Sequence, residues 1–370
     1  MNYSWTLLKN NIMIIKRVQP EIAYRKIDAL NQSMLGVFDD DPAQFYSEFI
    51  MGEERKQKPS KEMLIGTLTD FYLLDCNGDE EVFTQRFHEQ FSLYEGVKGT
   101  GQAFLLADYL YEITKRDTNE ANVVTTSFIE RFKEAFERIQ ADGKYSKKKW
   151  ESAMEEFDTH PAGQYFLKLV ENTKKQVVDM FIVEKAKFLT QQALTDPFTK
   201  DLYSSDKEDL RKFAIEFLYE HNKLGIKCKG ELDQILIDHD TKTIYPIDMK
   251  CTFDNEMFEY SYIKRKYYLQ NAYYNMAVKS WAKNNDMANY KVEPMQFVVY
   301  DTSKNGRRPL IYQTTEKHVE QGLKGFMHNG VWHRGVEELV DGIVWASDNN
   351  IWNITKENYD AGGKIPLRIF

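Results

Sequence analysis

A chain of 370 residues, 42% hydrophobic and 29% charged, can bury one large core or two ordinary ones, and global disorder is excluded. Its 49 Lys and Arg against 57 Asp and Glu give a net charge of -8, which excludes a protein coated in positive charge but leaves room for local basic clusters that meet nucleic acid. The three cysteines, Cys76, Cys228 and Cys251, are scattered without a CxxC, so no zinc or iron–sulfur signature is present and a reducing compartment is expected; with no apolar run of membrane-spanning length and no basic-then-apolar start, the reading is a soluble, cytoplasmic protein with no membrane partner.

The first two hundred residues read mostly as helix. "PEIAYRKIDALNQSMLGVF" carries apolar residues at three- and four-residue spacing, with Ser33 as an expected N-cap and Pro42 as the first turn of a further helix. "KEMLIGTLTDFYLLD", Lys61 to Asp75, is apolar over a wide face and predicts a buried helix. Thr125–Gln140, Lys147–Phe157 and Gly163–Leu194 predict others, with Gly, Asp or Pro at the breaks. The pattern changes near residue 210. "KFAIEFLYEH" alternates and predicts a strand, "HNKLG" a turn, "IKCKGELDQILIDHD" a second strand and "TIYPIDMKCTF" a third. "YIKRKYYLQNAYYNMAVKSWAK" predicts one helix of about six turns. "PMQFVVYDTS" and "RRPLIYQTT" predict two more strands, and the last 45 or so residues are ambiguous. The sum is an α/β fold with one central mixed sheet flanked by helices. One compact domain is expected over 1–370: a mostly helical part over 1–205, a core over 206–315 and an extension over 316–370.

The chemistry concentrates in "GELDQILIDHDTKTIYPIDMK". Side chains alternate along a strand, so Glu231 and Asp233 share a face, as do Asp248 and Lys250. If the two strands pair through the His239–Thr243 turn, Asp233 and Asp248 converge. Two converging carboxylates suit a hard divalent cation such as Mg²⁺ or Mn²⁺, which lowers the pKa of bound water and neutralises charge on a phosphodiester. A lysine two residues after the acid can hold the attacking water or stabilise that charge.

This order of strand, Asp233, hairpin, Asp248-x-Lys250 and helix resembles the PD-(D/E)XK nuclease superfamily in its RecB-like branch. "LQNAYYNMA" supplies Gln270 and Tyr274, similar to the branch's Q-x-x-x-Y motif, and a spacing of four puts both on one helix face. "IGTLTDFYLL" resembles the branch's G-x-x-x-H-x-x-L motif, with Asp70 where His is usual. "LNQSMLGVFDDDPAQFY" resembles the opening segment of RecE-like phage exonucleases. The resemblance runs from about residue 30 to 300. It implies a restriction-endonuclease-like core, with Asp233 and Asp248 as metal ligands joined by Asp70 and the Met249 carbonyl, Lys250 as the catalytic lysine, and Gln270 orienting the metal site or a phosphate. It also implies an exonuclease acting on double-stranded DNA ends in phage recombination, within a bacterial or phage-infected cytoplasm, as a homo-oligomer with a single-strand-annealing protein as partner. A structure-selective or restriction-like endonuclease, and a non-catalytic DNA-binding module that keeps the fold, are the alternatives.

Lys264, Arg265 and Lys266 in "YIKRKYY", with Tyr274 further along, are candidate DNA contacts beside that site; "SKKKW" and "SKNGRRP" are further basic patches. Glu216 is a weaker candidate acid. There is no GxxxxGK[ST], GxSxG, HExxH or GxGxxG, and no four-cysteine cluster.

Overall fold

The computed structural model describes residues 29–53, 59–221, 224–303 and 306–364. The beginning of the predicted helix over 20–38, the tip of the "HNKLG" turn and part of "SKNGRRP" lie outside these residues. In chain order the helices are α1 (Gln32–Asp40), α2 (Pro42–Phe45), α3 (Lys61–Asp70), α4 (Glu80–Gln90), α5 (Gln102–Arg116), α6 (Phe128–Ala141), α7 (Trp150–Thr159), α8 (Pro161–Glu171), α9 (Met180–Thr195), α10 (Phe258–Lys264), α11 (Tyr267–Lys283), α12 (Glu316–Lys324), α13 (Val336–Asn349) and α14 (Lys356–Asp360). The strands are β1 (Phe91–Tyr94), β2 (Gln176–Asp179), β3 (Glu208–His221), β4 (Leu224–Asp238), β5 (Thr243–Thr252), β6 (Lys291–Val292), β7 (Gln296–Asp301), β8 (Leu310–Gln313), β9 (Phe326–His328) and β10 (Val331–His333). No helix among the described residues is long and apolar enough to cross a membrane.

The described residues divide into two compact units, one made of those from 29 to Gly66 together with those from Gln191 onward, the other of Thr67–Thr190. Of the part expected over 1–205, the described residues from 29 to Gly66 and those from Gln191 group with the sheet.

The sheet unit is built on the order β3-β4-β5-β7-β8, with β6 also pairing β5. β3, β4 and β5 are antiparallel, β5 and β7 are parallel, and β8 returns antiparallel. The predicted hairpin is present, with Asp238 opposite Thr243. Pro246 sits inside β5, where a missing N–H is normally costly. It falls where the neighbour on one side changes from β6, which ends opposite Ile244, to β7, which starts opposite Ile247, so no ladder bond is lost there.

The helix α11 packs its apolar face on this sheet. Trp281 meets Phe213 with ring centroids 5.2 Å apart, and Tyr273 meets Phe217 at 5.3 Å. The single helix expected over 262–283 is two helices. Lys266 takes a left-handed conformation (φ 58°) between α10 and α11, and its ammonium bonds the Gly36 carbonyl and pairs with Asp39 and Asp40. The chain before α1 docks on β4 beside Cys228: Leu30 N–H donates to the Lys227 carbonyl, Lys229 N–H to the Leu30 carbonyl, and Tyr273 OH donates to both Leu30 and Lys229 carbonyls. Asn31, not Ser33, caps α1, because its side chain accepts the Met34 N–H while Ser33 lies inside the helix. Pro42 does open α2, with Asp41 capping it.

In the helical unit, α5, α6, α7 and α8 enclose a core of Phe104, Leu110, Phe132, Phe136, Phe157 and Phe166. Ser127 and Glu130 form a reciprocal capping box at the start of α6. The single helix expected over 163–194 is α8, then β2, which pairs in parallel with β1, then α9. Its apolar periodicity hid the strand, because Gln176–Asp179 is too short to show an alternation of its own.

Gly322 on α12 lets that helix approach α11 closely: a Cβ there would lie 2.1 Å from the Tyr268 carbonyl oxygen. Gly322→Ala is expected to destabilise the protein by roughly 1–3 kcal/mol, towards the upper end because a backbone atom must move. Urea unfolding measures this, and an unchanged midpoint would contradict the close approach.

Candidate active site

The site forms where β5 parts from β4. Their ladder runs from Asp238↔Thr243 to Gln234↔Ile247 and stops one step short of Asp233 and Asp248, which face each other across the opening. Met249 N–H donates to Asp233 Oδ2 at 2.8 Å in place of a ladder bond. In an extended strand a residue's N–H and C=O leave on the same side, so the Met249 carbonyl also faces β4.

The β3–β4 ladder breaks at the same level. Arg211 pairs with Gln234 and Phe213 with Leu232, but Lys212 and Asp233 between them do not pair. Lys212 has φ 44°, in the left-handed region that L residues avoid. On β4, Cys228 and Leu232 enter the core before this step and Ile235 and Ile237 after it; on β3, Phe213 enters the core and Leu210 packs against it. The alternation therefore slips by one residue in both strands. Strict alternation, which would put Glu231 and Asp233 on one face, does not carry through Asp233. Glu231 stands opposite Ala214, and Glu216 opposite Lys229, further along the hairpin.

Lys212 Nζ lies 3.5 Å from Asp233 Oδ1. Lys250 Nζ pairs with Asp248 Oδ2 and sits 4.9 Å from the centroid of the Tyr267 ring. Gln270 Nε2 donates to Asp248 Oδ1 at 2.5 Å. Tyr267, Gln270 and Tyr274 form a stripe on α11 that runs over Lys250, Asp248 and Gly230 in turn. A Cβ on Gly230 would come within 3.0 Å of the Tyr274 ring, so glycine is required for that ring to lie over the strand. Behind Asp233, the buried Gln234 side chain donates to the Leu202 carbonyl and to Asp209, which fixes the strand where it slips.

Asp248 is 3% exposed. Burial raises its carboxyl to about 6; the Lys250 ammonium opposes the rise and the Asp233 charge adds to it. Burial also works against the Lys250 charge, but the carboxylates of Asp248 and Asp233 outweigh it and hold the ammonium above its ordinary range. Lys250 has two acids answering its charge, whereas Asp248 must share its lysine with Asp233.

The donor set fits a hard cation. Asp248 Oδ2 is buried and, although it touches Lys250, has no aligned hydrogen-bond donor. Asp233 Oδ1 has a charge contact too long for a good hydrogen bond. With the Met249 carbonyl these are oxygen donors only, the type that Mg²⁺ and Mn²⁺ prefer. Among the described residues no group of three or more His, Cys, Asp and Glu side chains is gathered for a metal. Asp70 is the last residue of α3, and it belongs to the helical unit.

The basic candidates differ in their surroundings. Lys264 and Arg265 are exposed, and Lys264 Nζ lies 5.4 Å from the Tyr260 ring centroid. Lys266 is held by Asp39 and Asp40. In the other two patches Lys148 pairs with Glu156, Arg307 with Asp254 and Glu256, and Arg308 with Asp196. Two contributors were not visible in the sequence. Lys212 looked like an ordinary strand residue, because nothing in "RKFAIEF" announces a left-handed lysine. Tyr267 stood inside the basic run and read as part of it.

No protein-family model matches the chain, and no curated protein matches it.

The raised Asp248 carboxyl has a consequence for stability. A carboxyl whose folded pKa exceeds its unfolded one favours the fold below the unfolded value, and that contribution is lost as pH rises through about 6. Relative to Asp248→Asn, which cannot titrate, the metal-free wild type is expected to lose on the order of 2–3 kcal/mol between about pH 4 and pH 6. Denaturant unfolding across that range measures the difference, and parallel pH profiles would contradict it.

Proposed function

We propose that this chain is a divalent-metal-dependent deoxyribonuclease with a restriction-endonuclease-like core, resembling the RecB-like branch of the PD-(D/E)XK nucleases, and that it degrades duplex DNA from its ends. The observation that carries the reading is the convergence of Asp233, Asp248, Lys250 and Gln270. These residues lie on two strands and a helix; in the fold Gln270 and Lys250 take the two oxygens of Asp248 while Asp233 stands across the opening. A buried carboxylate with this set of partners has little structural use, since an apolar residue would fill the place at lower cost.

Asp233 and Asp248, with the Met249 carbonyl, would hold Mg²⁺ or Mn²⁺, which when bound supplies an acidified water and neutralises charge on the phosphate. The protein's own groups do the rest. Gln270 fixes the orientation of Asp248 through Oδ1 and leaves Oδ2 turned to Lys250. Lys250 stays protonated at neutral pH and offers its charge to the attacked phosphate or to the attacking water. The Tyr267 ring beside it limits where that ammonium can swing. Lys264 and Arg265, exposed on the segment leading into the same helix, can meet backbone phosphates, and the Tyr260 ring can stack on a base.

The test uses linear and covalently closed circular DNA with Mg²⁺, Mn²⁺ or EDTA. Linear DNA is expected to be degraded with either metal and spared with EDTA, while circles stay intact. Survival of linear DNA under every metal condition would remove the nuclease reading, and nicked or linearised circles would replace end-directed cutting with an endonuclease. Asp248→Ala and Lys250→Ala are each expected to lower the rate roughly a hundredfold or more, the loss of several kcal/mol of transition-state stabilisation. Wild-type rates in both folded variants would move the chemistry elsewhere.

A further inference from the structure

The groups gathered at the opening carry more than the motif. Asp233 and Asp248 bring two negative charges, and Lys250 and Lys212 bring two positive ones. Lys250 belongs to the motif, whereas Lys212 does not. Its backbone is the unusual part. The other described non-glycine residues with positive φ, such as Asn77, Lys242, Asp286, Asn329 and Asn350, lie in turns or bends or at helix ends; Lys212 alone among them lies inside a strand. Such strain persists only where the surroundings hold it in place, and it gathers at functional sites. Here it breaks the β3–β4 ladder opposite Asp233 and brings the lysine to the Asp233 carboxylate.

The two oxygens of Asp233 are treated differently. Oδ2 accepts the Met249 N–H and is fixed by the backbone. Oδ1 meets Lys212 at 3.5 Å, a contact of charge rather than a hydrogen bond. The carboxylate is thus oriented without Lys212, and the lysine answers the charge of the oxygen that remains available. The Lys212 side chain is 22% exposed, so it can withdraw towards water when another cation arrives.

We propose that Lys212 is a resident counter-charge: it neutralises Asp233 Oδ1 in the metal-free protein and gives way when a divalent cation takes that oxygen. The proposal rests on the metal-dependent reading above. It makes metal entry an exchange of one cation for another, which lets two acids face each other across the opening before any metal is present.

The test is Mn²⁺ binding to the full-length protein by isothermal titration calorimetry, without DNA. Lys212→Gly removes the charge and keeps the backbone, since glycine adopts positive φ freely; Lys212→Asn, which also tolerates that region, is the second variant should the first unfold. Circular dichroism verifies the fold of each. Removing a competing cation is expected to tighten Mn²⁺ binding roughly two- to fivefold, the range for one partly exposed ion pair. Unchanged or weaker binding in a folded variant overturns the role, since Lys212 would then only support Asp233. Lys207→Gly removes an equal charge that pairs with Asp238 at the far end of β4, and it is expected to leave binding unchanged. An equal gain there would make the effect one of net charge and also overturn the assignment. If the wild type itself binds no Mn²⁺, it is the metal-dependent reading that fails, and the calorimetry tells the two failures apart.

Discussion

Everything at the candidate site depends on one break in hydrogen bonding, where β5 leaves β4 at the level of Asp233 and Asp248. A strand that stops pairing exposes backbone donors and acceptors that must find partners. Here the Asp233 carboxylate takes the Met249 N–H that the ladder has released. One bond therefore does two things: it satisfies the backbone at the opening and aims the carboxylate into it. Further along the same edge of β4, where β5 does not reach, the Leu30 segment takes its place beside Cys228. β4 thus changes neighbour part-way along, and Asp233 lies between the two partners.

The electrostatics follow from that opening. A carboxyl as enclosed as Asp248 is unfavourable when ionised unless it is answered. Lys250 answers it directly, Gln270 adds a hydrogen bond, and the tyrosine beside Lys250 is held neutral by burial. Lys250 and Lys212 therefore answer the charges of Asp248 and Asp233 across the opening. On the metal-dependent reading proposed above, a divalent cation would make the opening positive, and affinity for a phosphodiester would follow occupancy by the metal.

Much of this was legible in the sequence, for identifiable reasons. The three strands and the long helix show clear periodicities, and the turn at His239–Thr243 has the composition of a hairpin, so the approach of Asp233 to Asp248 could be anticipated. Gln270 reached Asp248 because motif spacing fixed its position on α11. What stayed hidden has local causes. The slip at Lys212 reverses the alternation in two strands, and no composition rule marks it. The break at Lys266 depends on an acid pair more than two hundred residues away in Asp39 and Asp40. The caps fell to Asn31 rather than Ser33 because both residue types serve and only geometry decides. The division into two units was hidden as well, since it rests on which segments touch, and composition does not change at Gly66 or Gln191.

The bridge between Leu30 and Cys228 has a bearing on how the chain assembles. Almost two hundred residues separate its two sides, and the Tyr273 hydroxyl that joins them comes later still. Contacts of such sequence separation form slowly, because a long loop must close before they return any stability. The Thr67–Thr190 unit closes over shorter spans, its β1–β2 pairing joining residues 85 apart, from Phe91 to Gln176. On a growing chain it is complete in sequence while every strand of the main sheet is still to be made. The segment carrying Leu30 must then wait, with its apolar residues uncovered, until β4 and α11 emerge to receive it. Order of synthesis and order of closure therefore run opposite ways here: the Leu30 segment is made before the Thr67–Thr190 unit and seated after it.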